Sequence, residues 1–155
     1  MKDILIAVTE SDAQYPIRNN PTDAGIDLKS YFDYIIHEGE TKILRTGVAV
    51  LIPEGYMGLI MPKSRSDYLI GGGVVDAGYT GEIKVKIVNT SGHTLGIAYS
   101  QEIAQLIVVP VEIPELKYVN YNHLEREGKK ISERGTAGGI NESWDGLDNT
   151  LRRGF

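Results

Sequence analysis

Glu82-Ile83-Lys84-Val85-Lys86-Ile87 alternates charged and branched apolar residues without a break, so that every second side chain belongs to one face of an extended chain. Directly before it runs Gly73-Val74-Val75-Asp76-Ala77-Gly78-Tyr79-Thr80-Gly81. There two valines favour extended backbone, and Gly78 and Gly81 permit a positive φ. The two stretches together predict strand, turn and strand, with a carboxylate (Asp76) and a ring (Tyr79) held three residues apart in the turn. On these residues alone two readings stand side by side. One is an active-site hairpin; the other is a structural bend in which Asp76 supports the turn and Tyr79 packs on the sheet.

The same period of two extends outward. Val48, Val50 and Ile52 fall on one face of another segment, as Ile83, Val85 and Ile87 do here. Ile4-Leu5-Ile6-Ala7-Val8 is a further strand. Leu106-Ile107-Val108-Val109 is an unbroken apolar run suited to a strand buried on both faces, with Gln105 at its head as the polar residue that needs a partner. Pro53-Glu54-Gly55, Gly71-Gly72-Gly73 and Ser91-Gly92 punctuate these runs as turns. The expected architecture is all-β, a distorted jelly roll or antiparallel β-barrel. No long amphipathic helix is expected, although a short helical turn around Ser66 to Leu69 is compatible with the pattern. From about Glu125 the chain turns charged, glycine-containing and poor in apolar residues, which divides it into a β domain over 1–124 and a flexible C-terminal arm over 125–155.

Composition narrows the function. With 155 residues, 41% of them hydrophobic, one domain suffices to form a core. The sequence has no run of 18 apolar residues, so no membrane helix is expected, and Met1-Lys2-Asp3 leads into a strand too short for a secretory signal. A cytoplasmic location is the expectation. The absence of cysteine excludes disulfides and thiolate chemistry. A net charge of −5 without a basic stripe argues against nucleic acid as a partner. A small anion would instead need local positive groups, and Lys63, Arg65 and Arg134 stand at glycine- or serine-rich turns suited to that. His37, His93 and His123 lack metal-ligand spacing and are expected on the surface, and no phosphate-binding Gly-x-x-x-x-Gly-Lys loop occurs.

Five short segments in order resemble the motifs of the trimeric dUTPase family (deoxyuridine 5'-triphosphate nucleotidohydrolases), from Asp23 to about Gly139. They are Ala24-Gly25-Ile26-Asp27-Leu28, Pro62-Lys63-Ser64, Gly73 to Glu82, Ile103-Ala104-Gln105-Leu106, and Arg134-Gly135-Thr136-Ala137-Gly138-Gly139. The resemblance implies Mg²⁺-dependent hydrolysis of dUTP to dUMP and pyrophosphate in a homotrimer with active sites shared between chains. It assigns Asp76 as the base that activates water against the α-phosphorus. A carboxylate suits that task because it is ionised at neutral pH without tuning. Tyr79 would lie beneath the deoxyribose and exclude a 2′-hydroxyl, while the backbone at Gly73 and Val75 would read uracil. Gln105 would serve the α-phosphate region. Asp27 would either reach Mg²⁺ through water or brace the second motif, as Mg²⁺ keeps several waters and rides on the triphosphate.

The second motif departs from the family's Pro-Arg-Ser. An ungapped count puts Lys63 at the arginine and Ser64 at the catalytic serine, whereas a shift of two selects Arg65 and Ser66; the ungapped count is preferred. Lysine offers a point charge where arginine offers a planar fork. In the fifth motif, Arg134 with Gly138 and Gly139 suits an anion nest. Ile140 replaces the phenylalanine that covers uracil in the family, which leaves Ile140 or Trp144 as the covering residue. Residues 145–155 have no family counterpart. The rivals are a dCTP deaminase of the same fold and a non-catalytic regulator on this scaffold, and the resemblance leaves room for a regulatory protein partner.

Overall fold

The computed structural model describes residues 3–64 and 66–132. Ten strands follow in chain order: β1 (Leu5–Val8), β2 (Gly25–Lys29), β3 (Tyr34–Ile36), β4 (Thr41–Leu51), β5 (Tyr56–Met61), β6 (Tyr68–Gly71), β7 (Gly73–Val75), β8 (Glu82–Asn89), β9 (Leu95–Ile97) and β10 (Glu102–Pro110). All named pairings are antiparallel. They build a sheet in the order β1-β4-β8-β6, a second in the order β2-β10-β5-β7, and the small pair β3-β9. This is the expected all-β, jelly-roll-like architecture.

Alternation explains where the core lies. Val48, Val50 and Ile52 are buried, as are Ile83, Val85 and Ile87, and they join Ile26, Leu28, Ile60, Val75, Ile103 and Leu106 in one cluster fed by both larger sheets. Their charged neighbours Lys84 and Lys86 face outward. Gly71 pairs with Lys86 in the first sheet and Gly73 with Ile60 in the second, so Gly72 alone carries the chain from one sheet to the other. The triple glycine is thus a sheet crossing, and it fixes where the hairpin of β7 begins.

Two expectations change. Tyr68 to Gly71 is strand β6, not a helical turn, because Tyr68, Leu69 and Ile70 pair with Asn89, Val88 and Ile87 and Tyr68 enters the core. The run from Leu106 to Val109 is not buried on both faces: Leu106 is fully buried, but Ile107, Val108 and Val109 remain half-buried. Contacts divide the chain into two compact units, Met1–Ile113 and Pro114–Phe155. The second contains the helix that the sequence did not announce, α1 (Tyr121–Ile131). The Asn120 side chain caps it by accepting the His123 N–H at 2.9 Å, and Lys129–Glu125 and Lys130–Glu127 pairs line its surface. It buries no residue, although Tyr121, Leu124 and Ile131 share one face at helical spacing. It also runs across position 124, where the composition changes.

Candidate active site

The hairpin is built as a fixed bend. The Tyr79 N–H donates to the Asp76 carbonyl at 3.2 Å, and the Gly78 N–H donates to the Ile52 carbonyl at 3.1 Å. Gly78, third in that four-residue turn, has φ +81, a conformation that side-chain-bearing residues rarely adopt. The turn therefore pins Asp76 and Tyr79 at its two ends. The Asp76 carboxylate is exposed and takes no hydrogen bond or ion pair from any described residue. The Tyr79 ring is 49% exposed and folds over Gly81, where an added Cβ would collide with it.

Tyr79 lines a cleft of about 340 Å³ together with Ile60, Gly73, Val74, Val75 and Lys84. β7 is the edge strand of its sheet, so one margin of the Gly73–Val75 backbone has no strand beside it. An edge strand presents main-chain N–H and C=O groups that are free to bond a planar ligand. Ring, free carboxylate and open backbone edge are thus contributed by fewer than ten consecutive residues.

A second cleft, of about 290 Å³, is lined by Asn19, Asp23, Gly25, Asp27, Lys63, Ser64 and Gln105. It brings the first, second and fourth motif segments together. Asp27 is 6% exposed and lies directly opposite Gln105 across the β2–β10 ladder. One Asp27 oxygen binds the Lys63 ammonium at 2.7 Å and the other accepts from the Asn19 amide at 2.8 Å. The Lys63 ammonium also meets Glu102 at 2.7 Å. Burial lowers the pKa of Lys63, but the bonds to Asp27 and Glu102 outweigh it and hold the group above the ordinary lysine range, so it stays charged at neutral pH. The Gln105 amide donates to the Pro62 carbonyl at 2.9 Å and lies over Gly25, where a Cβ would strike it. The polar partner that Gln105 requires is therefore the second motif's own backbone.

Ser64 and Ser66 part company here. Ser64 lines the cleft with Asp27 and Gln105, exposed and without a partner among the described residues. Ser66 turns back, donating from both its hydroxyl and its N–H to the Lys63 carbonyl at 3.0 and 3.2 Å, and lines a different cleft with Tyr68 and His93. Arg65, Arg134, Gly138, Gly139, Ile140 and Trp144 lie outside the described residues. Asn19, Asp23 and Glu102 were not singled out by the sequence. Asn19 and Asp23 precede the first motif in a turn-rich stretch, and Glu102 sits three residues before Gln105, on what regular alternation makes the opposite face. His37, His93 and His123 are exposed, as expected.

The described residues contain no group of three or more His, Cys, Asp or Glu side chains placed to hold a metal ion. Both Asp27 oxygens already have protein partners, so direct ligation of a metal by Asp27 would require one of them to be given up. No helix among the described residues is long and apolar enough to cross a membrane.

The two clefts share no lining residue. The second cleft draws on β2, on β10 and on the segment that follows β5, and β5 is the strand that pairs with β7. One chain thus presents two clefts, one beside an open backbone edge and a free carboxylate, the other with a lysine and a serine.

The family model described as dUTPase matches residues 11–136. Deoxyuridine 5'-triphosphate nucleotidohydrolase of Mycolicibacterium gilvum (strain PYR-GCK) is 40% identical over 142 residues, covering 87% of this chain and 91% of that protein. Its counterpart in Mycobacterium sp. (strain JLS) is 37% identical over 142 residues, covering 86% and 91%. Among solved structures, a mutant of the Staphylococcus bacteriophage 80alpha dUTPase with dUpNHpp superposes with a TM-score of 0.78 at 28% identity, covering 90% of this chain and 97% of that one. A mutant dUTPase of phage phi11 of S. aureus, described with a structural Mg(II) ion, gives 0.71 at 30% identity over 76% and 97%. With residues of the first four motif segments lining two clefts and a family model that matches residues 11–136, the chain belongs to the dUTPase family.

Proposed function

We propose that this protein hydrolyses dUTP to dUMP and pyrophosphate, with Asp76 as general base. Water held by the Asp76 carboxylate loses a proton to it as its oxygen bonds the α-phosphorus. The bond from that phosphorus to the bridging oxygen breaks, and pyrophosphate leaves with the electron pair. The observation that carries this reading is the unpartnered, exposed Asp76 carboxylate at one end of a rigid turn whose other end, Tyr79, lines a cleft along an unpaired backbone edge. A carboxylate tied up in an ion pair would make a poor base.

In this reading the backbone of Gly73 and Val75 reads the uracil edge and the Tyr79 ring lies under the deoxyribose. The second cleft takes the phosphates, with Lys63 as a point charge, Ser64 at the reacting group and Gln105 bracing the segment through Pro62. Arg65, Arg134, Gly138 and Gly139 add phosphate contacts, and Ile140 or Trp144 covers the base. Mg²⁺, bound to the triphosphate and reached from Asp27 through water, would neutralise charge developing on the leaving pyrophosphate.

The two clefts share no lining residue, and in this reading a nucleotide is held by the first cleft of one chain and the second cleft of its neighbour, in a cytoplasmic homotrimer with three shared sites. The test is to incubate the protein and Mg²⁺ with dUTP, dCTP, dTTP or UTP and identify the products. Pyrophosphate and dUMP from dUTP alone are expected. Ammonia and an intact triphosphate from dCTP would mean a deaminase, and no turnover would leave a regulatory scaffold.

A further inference from the structure

The fourth motif contains an irregularity with a chemical consequence. Glu102 is opposite Lys29 across the β2–β10 ladder, Ala104 is opposite Leu28 and Gln105 is opposite Asp27, so β10 spends one extra residue where β2 advances by one. That is a β-bulge at Ile103. Opposed residues share a face, and Lys29 and Asp27, two apart, share theirs. Glu102 and Gln105, three apart, therefore point to the same side, which a regular strand forbids. Ile103 and Ala104 both turn into the core, each 0% exposed. The buried Tyr68 hydroxyl donates to the Ile103 carbonyl at 3.0 Å, fixing the bulge from the opposing sheet.

The bulge delivers the Glu102 carboxylate to the Lys63 ammonium at 2.7 Å, on which Asp27 also closes at 2.7 Å. We propose that Glu102 is a positioning residue for dUTP hydrolysis, clamping the Lys63 ammonium with Asp27 so that its remaining donor faces the phosphate cleft. A guanidinium fork orients itself by its own planarity. An ammonium on a four-carbon stem does not, and two carboxylates supply the missing constraint. The inference deepens the functional reading above and rests on it.

Charge repulsion alone would have the opposite effect, since Glu102 adds a negative group beside an anion site, and the sign of the change in KM separates the two. Steady-state kinetics with dUTP and Mg²⁺ are compared for the wild-type protein, Glu102→Gln, Lys63→Met and the double variant, with thermal melting of each. Glu102→Gln keeps the shape and an acceptor but loses the charge. It is expected to raise KM about five- to tenfold, the loss of roughly one charge-assisted hydrogen bond, while the melting temperature holds. In the Lys63→Met background the same change is expected to alter KM less than about twofold, because Glu102 acts only through the ammonium. An unchanged or lowered KM in Glu102→Gln overturns the inference, as does an equal rise with and without Lys63. A wild-type protein that leaves dUTP intact would instead defeat the functional reading itself.

Discussion

At the scale of single residues, two carboxylates of one chain receive opposite treatment. Asp27 is buried with both oxygens engaged, and Asp76 stands exposed with neither engaged. The first is dressed as a brace and the second as a base, and substitution should tell them apart. Asp76→Asn removes no contact among the described residues, so it should leave the melting temperature and KM near wild type while kcat falls by about 10²–10⁴. Full kcat in that variant would move the base elsewhere. A different acid group sets an alkaline limit. Tyr31 donates its hydroxyl to Asp12 at 2.7 Å, and this bond, then partial desolvation and the charges of Asp12 and Glu10, push its pKa up to about 12. The folded state holds the proton more tightly than an unfolded tyrosine of pKa near 10. The contribution is thus fully present below pH 10 and lost as pH rises from 10 towards 12. Tyr31→Phe should flatten the fall of stability across that window, which denaturant titrations at stepped pH would record.

At the scale of elements, the bulge in β10 ties the two sheets to the cleft. Tyr68→Phe would remove the hydroxyl that donates to the Ile103 carbonyl, at a cost of about 0.5–1.5 kcal/mol, visible as a lower urea midpoint with an unchanged slope. An unaltered midpoint would mean that the bulge holds without its tether. The same element shows why sequence reading succeeds and fails. Val48, Val50 and Ile52, or Ile83, Val85 and Ile87, announce their burial because regular strands keep a period of two. Asp27, Lys63, Ser64 and Gln105 were legible as members of ordered motifs, and they line one cleft. Glu102 was not, because one inserted residue reverses the parity on which such reading depends. Tyr68 looked compatible with a helical turn for a related reason: its pairing with Asn89 and its bond to Ile103 are long-range choices that local pattern does not encode. Helix α1 escaped notice because its apolar face has only Tyr121, Leu124 and Ile131, set in a charged stretch that contains Gly128.

At the scale of the whole molecule, the separation of the two clefts makes a prediction about stoichiometry. Asp76 and the cleft beside Tyr79 belong to β7 and its turn, while Ser64 and Lys63 belong to a second cleft that shares no lining residue with the first. If each working site takes the first from one chain and the second from its neighbour, two inactive variants can repair each other. Asp76→Asn and Ser64→Ala are suitable because both side chains are exposed and unpartnered among the described residues, so neither substitution should disturb folding or assembly. After mixing at equal concentration with reversible unfolding to exchange subunits, a site is intact only when the chain donating Asp76 is a Ser64→Ala chain and the chain donating Ser64 is an Asp76→Asn chain. Each condition holds for half the chains, so about a quarter of wild-type activity should return from two preparations that are each nearly dead. Sites contained within one chain would return none at any mixing ratio, because every chain would still lack one of its own two groups. A yield near a quarter, with light scattering giving the mass of three chains, would fix both the sharing and the number of partners.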